Sequence, residues 1–287
     1  MYSAKITRIT PTAFIFLIDQ SGSMEEKMTF GQTTMTKADA VAMVTNMLIR
    51  ELVNRCRREE GTLDYFDIAA IGYSNDEATM LLGTSEAFAK PSELSMRPCR
   101  KRIFTRERML PDGTAALAND EVKYWIEPKS EGNTPMCAAL EQALLLAGRW
   151  CRRPANVASY PPTIFNITDG EASDGDYERL TGLAEQIRAL GTEDGNVLLI
   201  NINLATGTHG GTVVFPSSPN ELPVSRYTRL LYDMSSVMPE EYTEAVLRVR
   251  GEENGTRGSF RGMSYNTSIA DLVSMLNVGS RSINKML

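Results

Sequence analysis

The sequence predicts an α/β fold: a Rossmann-like, doubly wound sheet of mostly parallel strands flanked by helices, with an insertion. Three observations predict it. Residues 13–18, Ala-Phe-Ile-Phe-Leu-Ile, are a continuous apolar run of the kind found in strands buried on both faces of a parallel sheet. Further apolar segments at 66–73, 163–168 and 197–204 repeat the pattern. Between them lie stretches with helical periodicity, which gives the strand–helix alternation of a doubly wound sheet.

After the first strand comes a polar loop, and then Thr36 and Asp39 match a capping box. Val41, Val44, Leu48, Leu52 and Cys56 follow at steps of three and four, so a long amphipathic helix is expected there, ended by Gly61. Residues 79–82 are placed to pair with the 66–73 strand as a hairpin across 74–77. Residues 84–133 show no clear period and read as an insertion. Thr134 and Pro135 are expected to open a helix, with Thr134 at the cap and Pro135 at the first helical position, running to about Cys151. Another helix is expected at about 177–190. Residues 205–225 read as a Gly/Pro/Ser-rich loop and 229–232 as a short strand. Helices at about 239–248 and 268–277 close the chain. No internal repeat or linker interrupts this order. Residues 1–287 therefore read as a single domain, with an insertion at about 84–133 and a C-terminal helical extension at about 264–287.

Composition narrows the function. The apolar fraction is 42% and the charged fraction 23%, ordinary for a globular protein. A net charge of −6 argues against nucleic acid as a partner. No apolar run reaches membrane-spanning length, and no basic segment followed by an apolar one opens the chain. The expectation is a cytoplasmic protein with no membrane partner. His209 is the only histidine, which excludes multi-histidine metal sites; its Gly-rich surroundings suggest a solvated loop. Cys56, Cys99, Cys137 and Cys151 form no CxxC pair. All but Cys99, which lies in a basic stretch, read as small core residues. The run Arg97, Arg100, Lys101, Arg102, Arg106 and Arg108 reads first as a solvated face and second as a docking patch for an acidic partner. Met24, Met28 and Met35, beside the first polar loop, are candidates for an adaptable contact surface.

In open α/β sheets ligands bind beyond the carboxyl ends of the strands. Two polar loops directly follow buried strands, one with Asp19, Ser21 and Ser23 and one with Asp169. Thr134, at a helix start, is a third element. The set holds two carboxylates, three hydroxyls and no nitrogen or sulfur. Such oxygen donors suit Mg²⁺, Mn²⁺ or Ca²⁺ and disfavour Zn²⁺. With so few carboxylates, a bound ion keeps its attraction for an external anion. Taken singly, each of these residues is also an ordinary turn or cap residue.

The pattern Asp19-x-Ser21-x-Ser23, a separate Thr134 before Pro135, and Asp169 in Thr-Asp-Gly resembles the metal-ion-dependent adhesion site of von Willebrand factor A domains. The resemblance covers about residues 12–250 in element order. It implies that Ser21, Ser23 and Thr134 give hydroxyl oxygens to an ion, with Asp19 and Asp169 bound directly or through water. The implied ion is Mg²⁺, with Mn²⁺ or Ca²⁺ as alternatives. Residues 264–266 with 269–272 look like single-domain bacterial members associated with tellurite resistance, which are often paired with a protein phosphatase and a kinase. The expected function is a metal-dependent protein-interaction module, not an enzyme, whose partner presents an acidic residue to the ion. Two alternatives are set beside it. A Mg²⁺-dependent phosphohydrolase would use Asp19 as nucleophile, but Ser21 stands where such enzymes carry a second acid. A surface adhesion domain is opposed by the short chain and the lack of a signal segment.

Overall fold

The computed structural model describes residues 2–30, 33–96, 100–109, 115–204, 211–252 and 258–280, with the backbone alone for 30, 33, 101–109 and 115–122. Seven strands form the main sheet: β1 (Thr12–Asp19), β2 (Phe66–Ser74), β3 (Glu77–Leu82), β4 (Thr163–Thr168), β5 (Leu198–Leu204), β6 (Val213–Val214) and β7 (Met263–Thr267). Their order is β3-β2-β1-β4-β5-β7-β6. The five inner strands run parallel, and β3 and β6 run antiparallel at the two edges. The sheet is thus mixed and mostly parallel, with helices on both faces.

All eight residues of β1 are buried. Successive side chains of a strand point to opposite faces. Phe14, Phe16 and Ile18 therefore enter one core, with Val41 and Leu48 of α1 (Lys37–Arg55), Val246 of α6 (Thr243–Arg250) and Leu272 of α7 (Ile269–Gly279). Ala13, Ile15 and Leu17 enter the other, with Leu140 of α3 (Met136–Cys151), Leu183 of α4 (Tyr177–Ala189) and Leu230 of α5 (Arg226–Met234). Cys56, Cys137 and Cys151 are buried, as expected. Cys99, His209 and Arg97 lie outside the described residues, as do the side chains of Lys101, Arg102, Arg106 and Arg108.

Chain order reverses between β1 and β4. Strands from the first half extend to one side of β1, and β4 opens the second half on the other side. Helix α1 leaves β1 on one face and α4 leaves β4 on the opposite face. That switch sets the carboxyl ends of β1 and β4 side by side, the place where open α/β sheets bind ligands.

Several sequence expectations are corrected. Residues 229–232 are not a strand but part of α5. Ser225 caps that helix through Thr228 N, and Arg229 pairs with Asp233 one turn on. Leu230 and Met234 then bury one helix stripe in a core, a spacing of four that overrides the local apolar run. Helix α1 stops at Arg55, well before Gly61, and a two-residue ladder, Arg57–Arg58 with Gly61–Thr62, makes the turn. Residues 205–225 are not all loop, because Val213–Val214 forms an edge strand on β7. Met24 and Met28 are buried core residues and Met35 packs against them, so they form no exposed contact surface.

The 84–133 segment is tied down at both ends. Ala89 bridges to Ile68, helix α2 (Pro91–Met96) follows, and a long hairpin pairs Arg100–Met109 with Ala115–Tyr124. The return passes buried Asn46 on α1. Asn46 Oδ1 accepts the N–H groups of Trp125 and Ile126 at 2.7 and 3.1 Å, and its amide donates to the carbonyls of Ala42 and Ile126. Residues 263–280, all but the first within the stretch read as a C-terminal extension, supply inner strand β7 and core helix α7.

Candidate metal centre

Asp19 ends β1 and is completely buried. Its Oδ1 accepts the N–H of Ser21 at 2.9 Å and its Oδ2 accepts the hydroxyl of Thr168 at 2.7 Å. The parallel register pairs Ile18 with Ile167, which sets Thr168 of β4 beside Asp19. Burial raises the Asp19 carboxyl above its usual range; the Ser21 and Thr168 hydrogen bonds oppose this and the nearby Asp169 adds to it.

Ser21 precedes a short 3₁₀ turn, Gly22–Glu25, and makes no side-chain cap there. Its hydroxyl lies 3.1 Å from that of Ser23. Ser23 donates to Asp169 Oδ1 at 2.5 Å, and the other oxygen of Asp169 accepts from Lys37 Nζ at 2.8 Å. Asp19, Ser21, Ser23 and Asp169 therefore stand in one connected cluster at the switch point.

Thr134 reaches the same end of the sheet by a different route. Gly22 N donates to Gly132 O at 2.9 Å and Glu131 N to Gln20 O at 2.8 Å, which binds the insertion's exit to the first loop. Thr134 N donates to Ser173 Oγ at 3.1 Å, and Ser173 N donates to Thr134 O at 2.9 Å, which binds it to the loop after β4. Contrary to expectation, Thr134 caps nothing. Pro135 precedes α3, and the free N–H groups of Cys137 and Ala138 go to Asp174, each at 2.9 Å. The Thr134 side chain is buried and makes no hydrogen bond among the described residues.

Sequence reasoning missed four neighbours. Thr168 was visible only as the residue before Asp169. Lys37 carried a signal: a cation in a helix's first turn opposes the helix dipole. Asp174 caps α3 from a loop 37 residues beyond Cys137, so no local pattern shows the contact. Tyr227 of α5 gave no signal. Its hydroxyl accepts from Asn203 Nδ2 at 3.4 Å. Burial pushes its phenol up; hydrogen bonds with Thr168 and Asn203 oppose this, and the charges of Asp19 and Asp169 add to it.

The donors present fit a hard divalent cation. All are oxygens, the two carboxylates are buried, and no cationic side chain pairs with Asp19 among the described residues. Of the two carboxylates, Lys37 pairs with Asp169 alone. Among the described residues no group of three or more His, Cys, Asp or Glu is arranged to hold a metal, so any such ion relies on the hydroxyls.

No family model and no curated protein matches the chain. Solved structures are similar to it at low identity. A von Willebrand factor type A protein from Catenulispora acidiphila is 12% identical with a TM-score of 0.44, covering 96% of this chain and 43% of that one. The von Willebrand factor domain of the type V pili tip protein Mfa5 from Porphyromonas gingivalis is 10% identical with a TM-score of 0.43, covering 95% of each chain. Proximal thread matrix protein 1 from the mussel byssus is 13% identical with a TM-score of 0.43, covering 96% of this chain and 46% of that one. This chain thus spans less than half the length of the first and third. Among the described residues no helix is long and apolar enough to cross a membrane.

Proposed function

We propose that the chain is a metal-dependent protein-interaction module of the von Willebrand factor A kind. Asp19, Ser21, Ser23, Thr134 and Asp169 would hold one Mg²⁺, with Mn²⁺ or Ca²⁺ as substitutes. The observation that carries this reading is Asp19. It is a fully buried carboxylate beside a second carboxylate, with no ion-pair partner among the described residues. An unpaired charge at such depth is costly, and a bound cation removes the cost.

When bound, the ion supplies a Lewis-acidic position for an incoming oxygen ligand. Mg²⁺ takes six oxygens and this chain offers at most five side chains, so an acidic residue of a partner protein completes the shell. The protein's own part would be to hold the carboxylates and hydroxyls at fixed positions. We assign no catalytic residue. The likeness of residues 264–266 and 269–272 to tellurite-resistance-associated domains makes a kinase or a phosphatase the first partner to try.

Two measurements test the reading. Titration calorimetry with Mg²⁺ and Mn²⁺ should show one site in the wild type and none in Asp19→Ala. Capture of a candidate kinase or phosphatase should fail in EDTA and return with Mg²⁺. Equal metal binding by both proteins refutes the site, and capture indifferent to EDTA refutes the metal's role.

A further inference from the structure

Lys37 is the first residue of α1 and is 1% exposed. Its ammonium donates to Asp169 Oδ2 at 2.8 Å and to Glu26 Oε2 at 2.6 Å. Two features make this placement unusual. Lysines are seldom fully buried, and the N-terminal turn of a helix repels cations. Nor does the helix need Lys37 in order to start, because the Thr36 side chain accepts from Asp39 N and supplies the cap. A buried cation held against a helix's positive end, on a residue of the proposed metal centre, has work beyond folding.

Charge counting shows what that work is. Asp19 and Asp169 carry two negative charges, and Lys37 cancels one. A divalent ion then leaves the centre with one positive charge in excess. Without Lys37 the same ion would be neutralised by the protein alone. Glu26 is 57% exposed, so solvent screens part of its charge and it offsets Lys37 only in part.

Resting on the metal-site reading above, we propose that Lys37 is a built-in counter-charge that weakens the centre's hold on a divalent ion and reserves the remaining charge for an anionic partner residue. Lys37 is a positioning residue. It keeps Asp169 Oδ2 turned toward α1, so the oxygen of this carboxylate left for an ion would be Oδ1, beside Ser23. By linkage, an anion that binds the loaded centre must tighten metal binding by the same factor. Metal and acidic partner then arrive together.

The experiment uses Mn²⁺ alone and Mn²⁺ with excess acetate at constant ionic strength, read by calorimetry and by Mn²⁺ spin resonance, with a melting curve for every protein. Lys37→Met should bind Mn²⁺ at least about tenfold tighter than wild type, because a unit charge close to a divalent ion is removed. Lys37→Arg, which keeps the charge, should stay within about threefold. Acetate should tighten Mn²⁺ binding in the wild type and not in Lys37→Met. Glu26→Gln strips the exposed partner from Lys37 and should weaken Mn²⁺ binding by about twofold to threefold, which keeps the test alive if Lys37→Met does not fold. Unchanged or weaker Mn²⁺ binding in Lys37→Met, or unchanged binding in Glu26→Gln, overturns the proposal and leaves the metal site standing. Wild-type protein that binds no Mn²⁺, or binds it as Asp19→Ala does, overturns the site and this proposal with it.

Discussion

Asp174 accepts the backbone N–H of Cys137 at 2.9 Å, so the loop that follows β4 caps the helix that precedes the same strand. Its second oxygen takes the N–H of Ala138 at the same distance. This cap fixes where α3 begins, and Thr134 stands two residues before that start. Asp174→Ala should cost about 1–2 kcal/mol, the usual loss for a helix cap. It should also weaken Mn²⁺ binding, since the start of α3, two residues after Thr134, is no longer held in place. Chemical denaturation and calorimetry check both effects. An unchanged midpoint would mean that the cap is not formed in solution.

Thr134→Ala should behave differently. The hydroxyl makes no hydrogen bond within the described protein, so stability should move by no more than about 0.5 kcal/mol. Capture of a partner in Mg²⁺ should nonetheless fall. A variant that loses both stability and capture would assign Thr134 a packing role only.

Asn46→Ala should be the most damaging of these changes. Its side-chain amide answers backbone groups of Ala42, Trp125 and Ile126, all inside the protein. Removing it strands two buried N–H groups, for an expected loss of about 2–4 kcal/mol. Urea unfolding measures the loss, and protease nicking within 84–133 should rise as the insertion's return leg comes free.

Acid stability should depend on Glu221. Burial raises its carboxyl, but hydrogen bonds from Ser217 and Arg250 and the Arg250 charge outweigh burial and hold it below the ordinary glutamate range. A carboxyl depressed in the fold stabilises above its unfolded value, and that stability is lost as pH falls through the folded value. Wild type should therefore lose stability between about pH 5 and pH 3 more steeply than Glu221→Gln. Melting curves of the two proteins across that range decide it, and parallel curves would contradict it.

No hydrolysis of a generic phosphate ester should occur with Mg²⁺ present. Both oxygens of Asp19 already accept hydrogen bonds, and the residue two places on, Ser21, offers no general acid. Turnover that vanishes in Asp19→Asn would establish an enzyme instead.

The fold was readable where one period dominated. The run at 13–18 and the α1 stripe each have a single packing solution, and the structure adopts it. The hairpin across Asn75 and Asp76 was readable too, because both residues take positive φ, at 50° and 63°, as Asn and Asp tolerate. Residues 229–232 misled because Leu230, Leu231 and Tyr232 are adjacent, and only Ser225 and the Arg229–Asp233 pair reveal the helix. In the centre, residues on the strand-end loops were legible one by one. Asp174 and Tyr227 were not, since each reaches its partners from a helix or loop whose position only the tertiary structure sets, and Lys37 was marked only by its charge in a helix's first turn.

The bond between Thr168 and Asp19 joins residues 149 positions apart. Strands β1 and β4 meet in parallel, so no local turn can bring them together. Closing so long a loop comes late and slowly in folding. On the ribosome, Asp19, Ser21 and Ser23 emerge long before Thr134, Thr168 and Asp169. A nascent chain thus carries a fragment of the centre with too few donors to trap an ion. On the proposed metal centre, the capacity to bind would appear only when both halves of the sheet have joined, and ion uptake would then serve as a clock for completed folding.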